Sequence, residues 1–203
     1  MSTRTLVRWG GLAALVSGVA GIALEIAMVV VFGDQPMSIA GLTPQWLVLL
    51  ATMLVEMILA MLGLVALYAR QSQNAGGLGV VAFVAAVIGT IMLSAWMWAG
   101  TFDVPAFAEA APEFMDTFEA SPSGTIFAGA ILSFLSFGIG WFLFGLASLR
   151  AAILPRVSSW LVMVGAVLGV VLAVVDLPLG GAVFDLGLAW MGWWLWSEPA
   201  PTA

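Results

Sequence analysis

Four carboxylates lie in or at the edge of apolar runs: Glu25, Glu56, Asp176 and Asp185. A charged acid at mid-bilayer costs roughly 2.5–3.5 kcal/mol on insertion scales, so an acid retained there needs a reason. The chemistry open to carboxyls alone is narrow. They can take up and release protons, or they can hold a cation. The structural alternative is a carboxyl that hydrogen-bonds across two helices and does nothing else. For Glu25 and Glu56 the two readings stand level; for the aspartates, which lie shallower, the structural reading leads.

The elements that must position these acids follow from composition. Of 203 residues, 63% are hydrophobic and only 8% are charged. A soluble domain carries about 25% charged residues, so this chain could not keep a surface wet. A bilayer core needs roughly 20 apolar residues per helical span. Six runs meet that need, at about 10–33, 46–69, 77–99, 124–147, 158–176 and 180–197. No stretch alternates polar and apolar residues as a membrane barrel strand would. The expected fold is therefore all-α, a single polytopic bundle of six transmembrane helices. The first run continues to Phe32, past the length of a signal-peptide core of about 7–15 residues, and reads as an uncleaved span.

All five cations are arginines. Arg4 and Arg8 precede the first run, Arg70 follows the second, and Arg150 and Arg156 separate the fourth and fifth. Six spans put all of them on one side, which the positive-inside rule makes cytoplasmic, with both termini. The opposite side collects Asp34, Asp103, Glu109, Glu113, Asp116 and Glu119 and no cation. Trp9, Trp160, Trp193, Trp194 and Trp196 then map to the inner interface, and Trp46, Trp96 and Trp98 to the outer one, the depth that indole prefers. Trp141 and Trp190 fall inside spans and read as core. The expected location is the plasma membrane.

Within this frame Glu25 lies eight residues before Gly33, and Glu56 ten residues after Trp46. At 1.5 Å per residue that is about 12 Å and about 15 Å below the outer ends of the first two spans, a similar depth. Asp176 and Asp185 flank the "LPLGG" turn and are expected to be shallow. Helical spacing aligns Glu25 with Gly18 and Gly21, and Asp176 with Gly165, Gly169 and Ala173. Glu56 aligns with Thr52, Ala60 and Gly63, and Asp185 with Ala189 and Gly192. Small residues mark faces where membrane helices approach closely, so all four acids are expected to face neighbouring helices. Thr52, Thr90, Ser94, Ser133 and Ser136 fall at middle or outer depth and are candidate polar lining; Ser17, in the inner half, is not.

The segment 103–121 is the one sizeable extramembrane piece. Phe107, Phe114, Met115 and Phe118 recur at helical spacing with the acids on other faces, so it reads as an amphipathic helix on the outer leaflet or a lid. Pro122 after Ser121 suggests the start of the next helix.

Other chemistries lack their residues. There is no Cys, no His and no Lys, which removes disulfides, thiolate or histidine metal sites, His-ligated haem and lysine Schiff bases. No nucleophile elbow, P-loop or HExxH occurs. An acidic chain without lysine offers no footprint for nucleic acid. No cofactor, no resident metal and no catalytic residue is expected, and an enzyme is the poorest of the readings.

At "FGLASLRAAILPRVSSWLVMVGAVLG", residues 144–169, the chain resembles small bacterial six-span integral membrane proteins of unknown function with an LPR-x-x-x-W element between spans 4 and 5. The opening arginines and "GGLAALVSG" add to the resemblance. It implies topology and no activity. Two functions stay open: an accessory or scaffold component held in a complex or homo-oligomer through glycine-rich faces, and a small cation- or proton-coupled transporter or channel. The bilayer is the expected partner of both.

Overall fold

The computed structural model describes residues 3–174 and 179–197, so Asp176 lies outside the described residues. These residues form seven helices and no strand: α1 (Thr3–Phe32), α2 (Met37–Ala40), α3 (Pro44–Ala110), α4 (Pro112–Ala120), α5 (Gly124–Ala151), α6 (Arg156–Val174) and α7 (Ala182–Ser197). Four of them are long and apolar enough to cross a membrane: Thr5–Phe32, Pro44–Ala110, Gly124–Ala151 and Arg156–Ala173.

The longest helix is bent double. Gly76 has φ 56° and ψ −156°, a backbone conformation open to glycine and strained for other residues, and it splits α3 into arms 44–75 and 77–110. Tyr68 stacks on Phe83 with ring centroids 4.4 Å apart, and the Trp46 indole N–H donates to the Gly100 carbonyl at 3.0 Å. The two contacts tie the arms together near each end. The stretch "RQSQNA" is accordingly helical and not a loop, and it places Gln71 at full burial.

The helices close a ring. α1 packs on the first arm of α3 and on α7; α7 packs on α6, α6 on α5, and α5 on the second arm of α3. Glycines set the spacing. A Cβ added at Gly63 would stand 2.6 Å from that of Ala14, and one at Gly140 would stand 2.5 Å from the Ala85 carbonyl oxygen. A Cβ at Gly187 would lie 2.7 Å from the Val162 backbone nitrogen. These approaches also fix the registers. Gly140 against Ala85 and Ala86 puts Arg150 level with the bend at Gly76, and Gly187 against Val162 puts Arg156 level with Trp193. Arg8 lies over the Trp196 ring at 4.5 Å and Arg70 over the Trp194 ring at 5.7 Å. Four arginines thus gather at one end of the bundle.

The core between the helices holds Trp141, Phe144, Leu64, Leu67, Leu188 and Met191. Trp141 is fully buried, and its indole N–H donates to Thr90 Oγ1 at 3.0 Å. Trp190, expected in the core, instead points outward at 44% exposure. It joins Val30, Val48, Ile58, Val81 and Ile139 in an outer surface that is apolar around the bundle, as hydrocarbon requires and water does not favour.

Two boundaries differ from expectation. The run expected to end near residue 99 continues to Ala110 through Pro105, which supplies no donor to the ladder and crowds the carbonyl four residues back. Ser121 closes α4, and α5 begins at Gly124 with Ser123 as its N-cap. The acidic segment is therefore the tail of α3 plus the short helix α4. It packs on α2, where Glu119 accepts the Met37 backbone N–H at 3.0 Å. Phe107, Phe114 and Phe118 form an aromatic row with centroid spacings of 5.9 and 6.3 Å, while Met115 is buried.

Candidate functional site

Three of the four expected acids meet at one cavity of about 300 Å³, where Glu25, Glu56 and Asp185 all contribute to the lining. They come from α1, the first arm of α3 and α7, so three separate helices converge on it. One of these helices, α7, is short. Its 16 residues rise about 24 Å, less than the roughly 30 Å of a bilayer core. Its first residues lie at the level of Glu25.

Glu25 meets the start of α7 directly. Its Oε1 accepts the Gly181 backbone N–H at 2.8 Å, while the Gly181 carbonyl accepts the Asp185 N–H at 2.9 Å. A helix N-terminus leaves its first N–H groups unpaired and carries partial positive charge, so a carboxyl there is well placed. The second oxygen, Glu25 Oε2, is buried and has no hydrogen-bond partner.

Asp185 occupies the first turn of α7 and is 6% exposed. Its carboxyl lies against Gly21: a Cβ on Gly21 would come within 2.6 Å of Asp185 Cγ and 2.7 Å of Oδ1. Only a residue without a side chain leaves room for the acid. A Cβ at Gly181 would contact Glu25 Oε1 and lie 3.7 Å from Asp185 Oδ2, so the two carboxyls flank that glycine. The Asp185 carboxyl makes no side-chain hydrogen bond among the described residues.

Glu56 is 4% exposed and accepts a hydrogen bond from the Ser17 hydroxyl. The register of Gly63 on Ala14 sets Glu56 level with Gly21, one helical turn or about 6 Å deeper than Glu25. Asp185 shares that deeper level. The expectation of a shallow Asp185 is therefore corrected: it sits in the first turn of its helix, but that helix starts inside the bundle. None of the three acids has a cationic partner among the described residues, because the arginines stand at the other end.

The expected hydroxyls behave differently. Thr52, Thr90, Ser94, Ser133 and Ser136 are not among the cavity's lining residues. Thr52, Thr90, Ser94 and Ser133 donate to the carbonyl four residues earlier in their own helices, at 2.7–2.8 Å. Thr52 is exposed, and Thr90 receives Trp141. The hydroxyl that does serve an acid is Ser17, which depth reasoning had set aside. Its sequence signal was its place one residue before Gly18, on the α1 face that meets α3 and α7.

The remaining walls are apolar. Leu24, Met53, Phe134, Phe137, Val170 and Phe184 all line the cavity, and exposed Val29 and Leu179 mark where it opens. No group of three or more acids among the described residues stands close enough to ligate one metal ion. Chemically the arrangement can exchange protons and attract positive charge. Ser17, whose hydroxyl is paired with Glu56, is not among the lining residues.

No protein-family model, no curated protein and no solved structure matches this chain.

Proposed function

We propose that this is a six-span protein of the cell membrane, both termini cytoplasmic, that binds and exchanges protons or cations at an internal carboxylate cavity as a small transporter or channel. The arms of α3 supply two spans, and α7 supplies a short sixth one antiparallel to α6. The arginines gathered at one end support the orientation. One observation carries the function: Asp185, buried, without a hydrogen-bond partner for its carboxyl among the described residues, faces the same cavity as Glu25 and Glu56. A helix that begins within the bundle beside an ion site is also a feature of secondary transporters.

A second reading, an accessory or scaffold component, has its own support. Capping α7 accounts for Glu25, and tying α1 to α3 accounts for Glu56. The glycine faces that would have met partners are instead filled from within, since Gly11, Gly18, Gly145 and Gly192 all press on neighbouring helices of the same chain.

Proton flux into liposomes separates the two. The transport reading requires flux that falls in Glu25→Gln, Glu56→Gln and Asp185→Asn proteins that still fold. Absence of flux in the wild-type protein, or equal flux in all four, contradicts it.

A further inference from the structure

We infer that the ligand of the cavity is an organic cation, an alkyl- or arylammonium with an apolar body. This rests on the proposed function and names the class of its substrate. Four features of the cavity lead there.

The first is size. At about 300 Å³ it has room for roughly ten times the volume share of one water molecule, far more than a bare ion fills. The second is polarity, which is divided by side. Glu25, Glu56 and Asp185 come from α1, the first arm of α3 and α7; the second arm of α3, α5 and α6 face them with Leu93, Met97, Phe134, Phe137 and Val170. A molecule lying across the cavity meets carboxyls at one end and hydrocarbon at the other.

The third is the ligand count. Calcium takes six to eight oxygen ligands, and magnesium demands a near-octahedral set. No three of the acids stand close enough to share one ion, and the facing wall has no oxygen side chain to complete a shell. An ammonium needs no such shell. Its charge is stabilised by one or two carboxyls, while the lining rings of Phe134 and Phe137 take the apolar body at the other end. Flexible thioethers from Met53 and Met57 adapt to an irregular apolar body.

The fourth is what is left unpaired. Asp185 is more than nine-tenths buried with no hydrogen-bond partner for its carboxyl among the described residues, and Glu25 Oε2 is buried and unpartnered. A buried carboxyl without a partner is unfavourable, and a ligand cation provides one.

The test uses the full chain in lipid nanodiscs, with empty nanodiscs as blank, and calorimetric titration of benzyltrimethylammonium. N-benzylacetamide, neutral and of similar size, and sodium chloride are titrated alongside. The expected result is saturable binding of benzyltrimethylammonium alone. Asp185→Asn should weaken it by roughly two orders of magnitude, as removal of one member of a buried charge pair does. Met97→Trp keeps every acid and fills the apolar side, and should weaken it by about tenfold or more, since overfilling a packed site excludes the body. It serves even where Asp185→Asn does not fold. Binding of the amide as tight as that of the cation, or binding unaffected by both substitutions, overturns the inference. Carboxylate-dependent proton flux without binding of the organic cation overturns this inference and leaves the proposed function standing. Loss of both overturns both.

Discussion

Glu25 on α1 and Gly181 ahead of α7 are joined by a 2.8 Å hydrogen bond between residues 156 positions apart in the chain. The acid thereby holds the start of a helix that begins inside the bundle, beside the cavity. Glu25→Leu removes the acceptor and should lower stability by about 1–2 kcal/mol, the range for a lost helix cap. Glu25→Gln keeps a carbonyl oxygen and should stay within about 0.5 kcal/mol of wild type. Thermal unfolding in one detergent compares them, and equal melting of both variants would contradict the capping role.

Gly21 and Asp185 should be energetically coupled. The Cβ of Gly21→Ala would fall 2.6 Å from Asp185 Cγ, a distance real atoms do not hold. The expected loss is about 1–3 kcal/mol, typical of overpacking. Removing the acid's bulk in Asp185→Ala should relieve much of it, giving a coupling of about 0.5 kcal/mol or more in a double-mutant cycle. Additive losses would show that the two side chains do not meet.

The bend at Gly76 makes a paired prediction. Its φ of 56° and ψ of −156° are unfavourable for any side chain, so Gly76→Ala should destabilise by about 1–3 kcal/mol although nothing stands within 4 Å of the new Cβ. Gly129 lies inside α5 with equally open surroundings. There the same substitution should stabilise by about 0.5–1 kcal/mol. Equal effects at both sites would argue that α3 runs straight.

Gln71 is fully buried, and neither its amide nitrogen nor its amide oxygen has a hydrogen-bond partner. Replacing the amide by a thioether of similar length, Gln71→Met, should raise stability by about 1 kcal/mol. Destabilisation would mean that the amide is bonded in the membrane-embedded protein.

How much of this the sequence revealed differs from residue to residue. Glu25 and Glu56 were visible because charge in an apolar run stands out, and Gly18 and Gly21 pointed their helix face at a neighbour. Gly21 then proved to make room for Asp185, a partner no spacing rule could name, since it comes from the far end of the chain. Depth counted from the turn before Asp185 makes that acid shallow, because sequence does not show that α7 starts inside the bundle. Ser17 escapes depth along α1 in the same way, since its use depends on the register of α3 against α1. Thr90 and Ser133 misled in another way. A hydroxyl on a helix can satisfy itself on the carbonyl four residues back, so its type says little about what it faces. Gln71 carried no signal, because a polar residue beside Arg70 reads as a loop until the bend at Gly76 is seen.

The most direct test of the proposal asks whether Glu25, Glu56 and Asp185 share one ligand cavity and change state when it fills. Infrared difference spectra of the protein in lipid, recorded as benzyltrimethylammonium is perfused in and out, report carboxyl groups directly. Reversible carboxyl bands are expected, diminished in Glu25→Gln, Glu56→Gln and Asp185→Asn and absent when all three are combined. The same bands in the triple variant, or none in the wild-type protein, would contradict it.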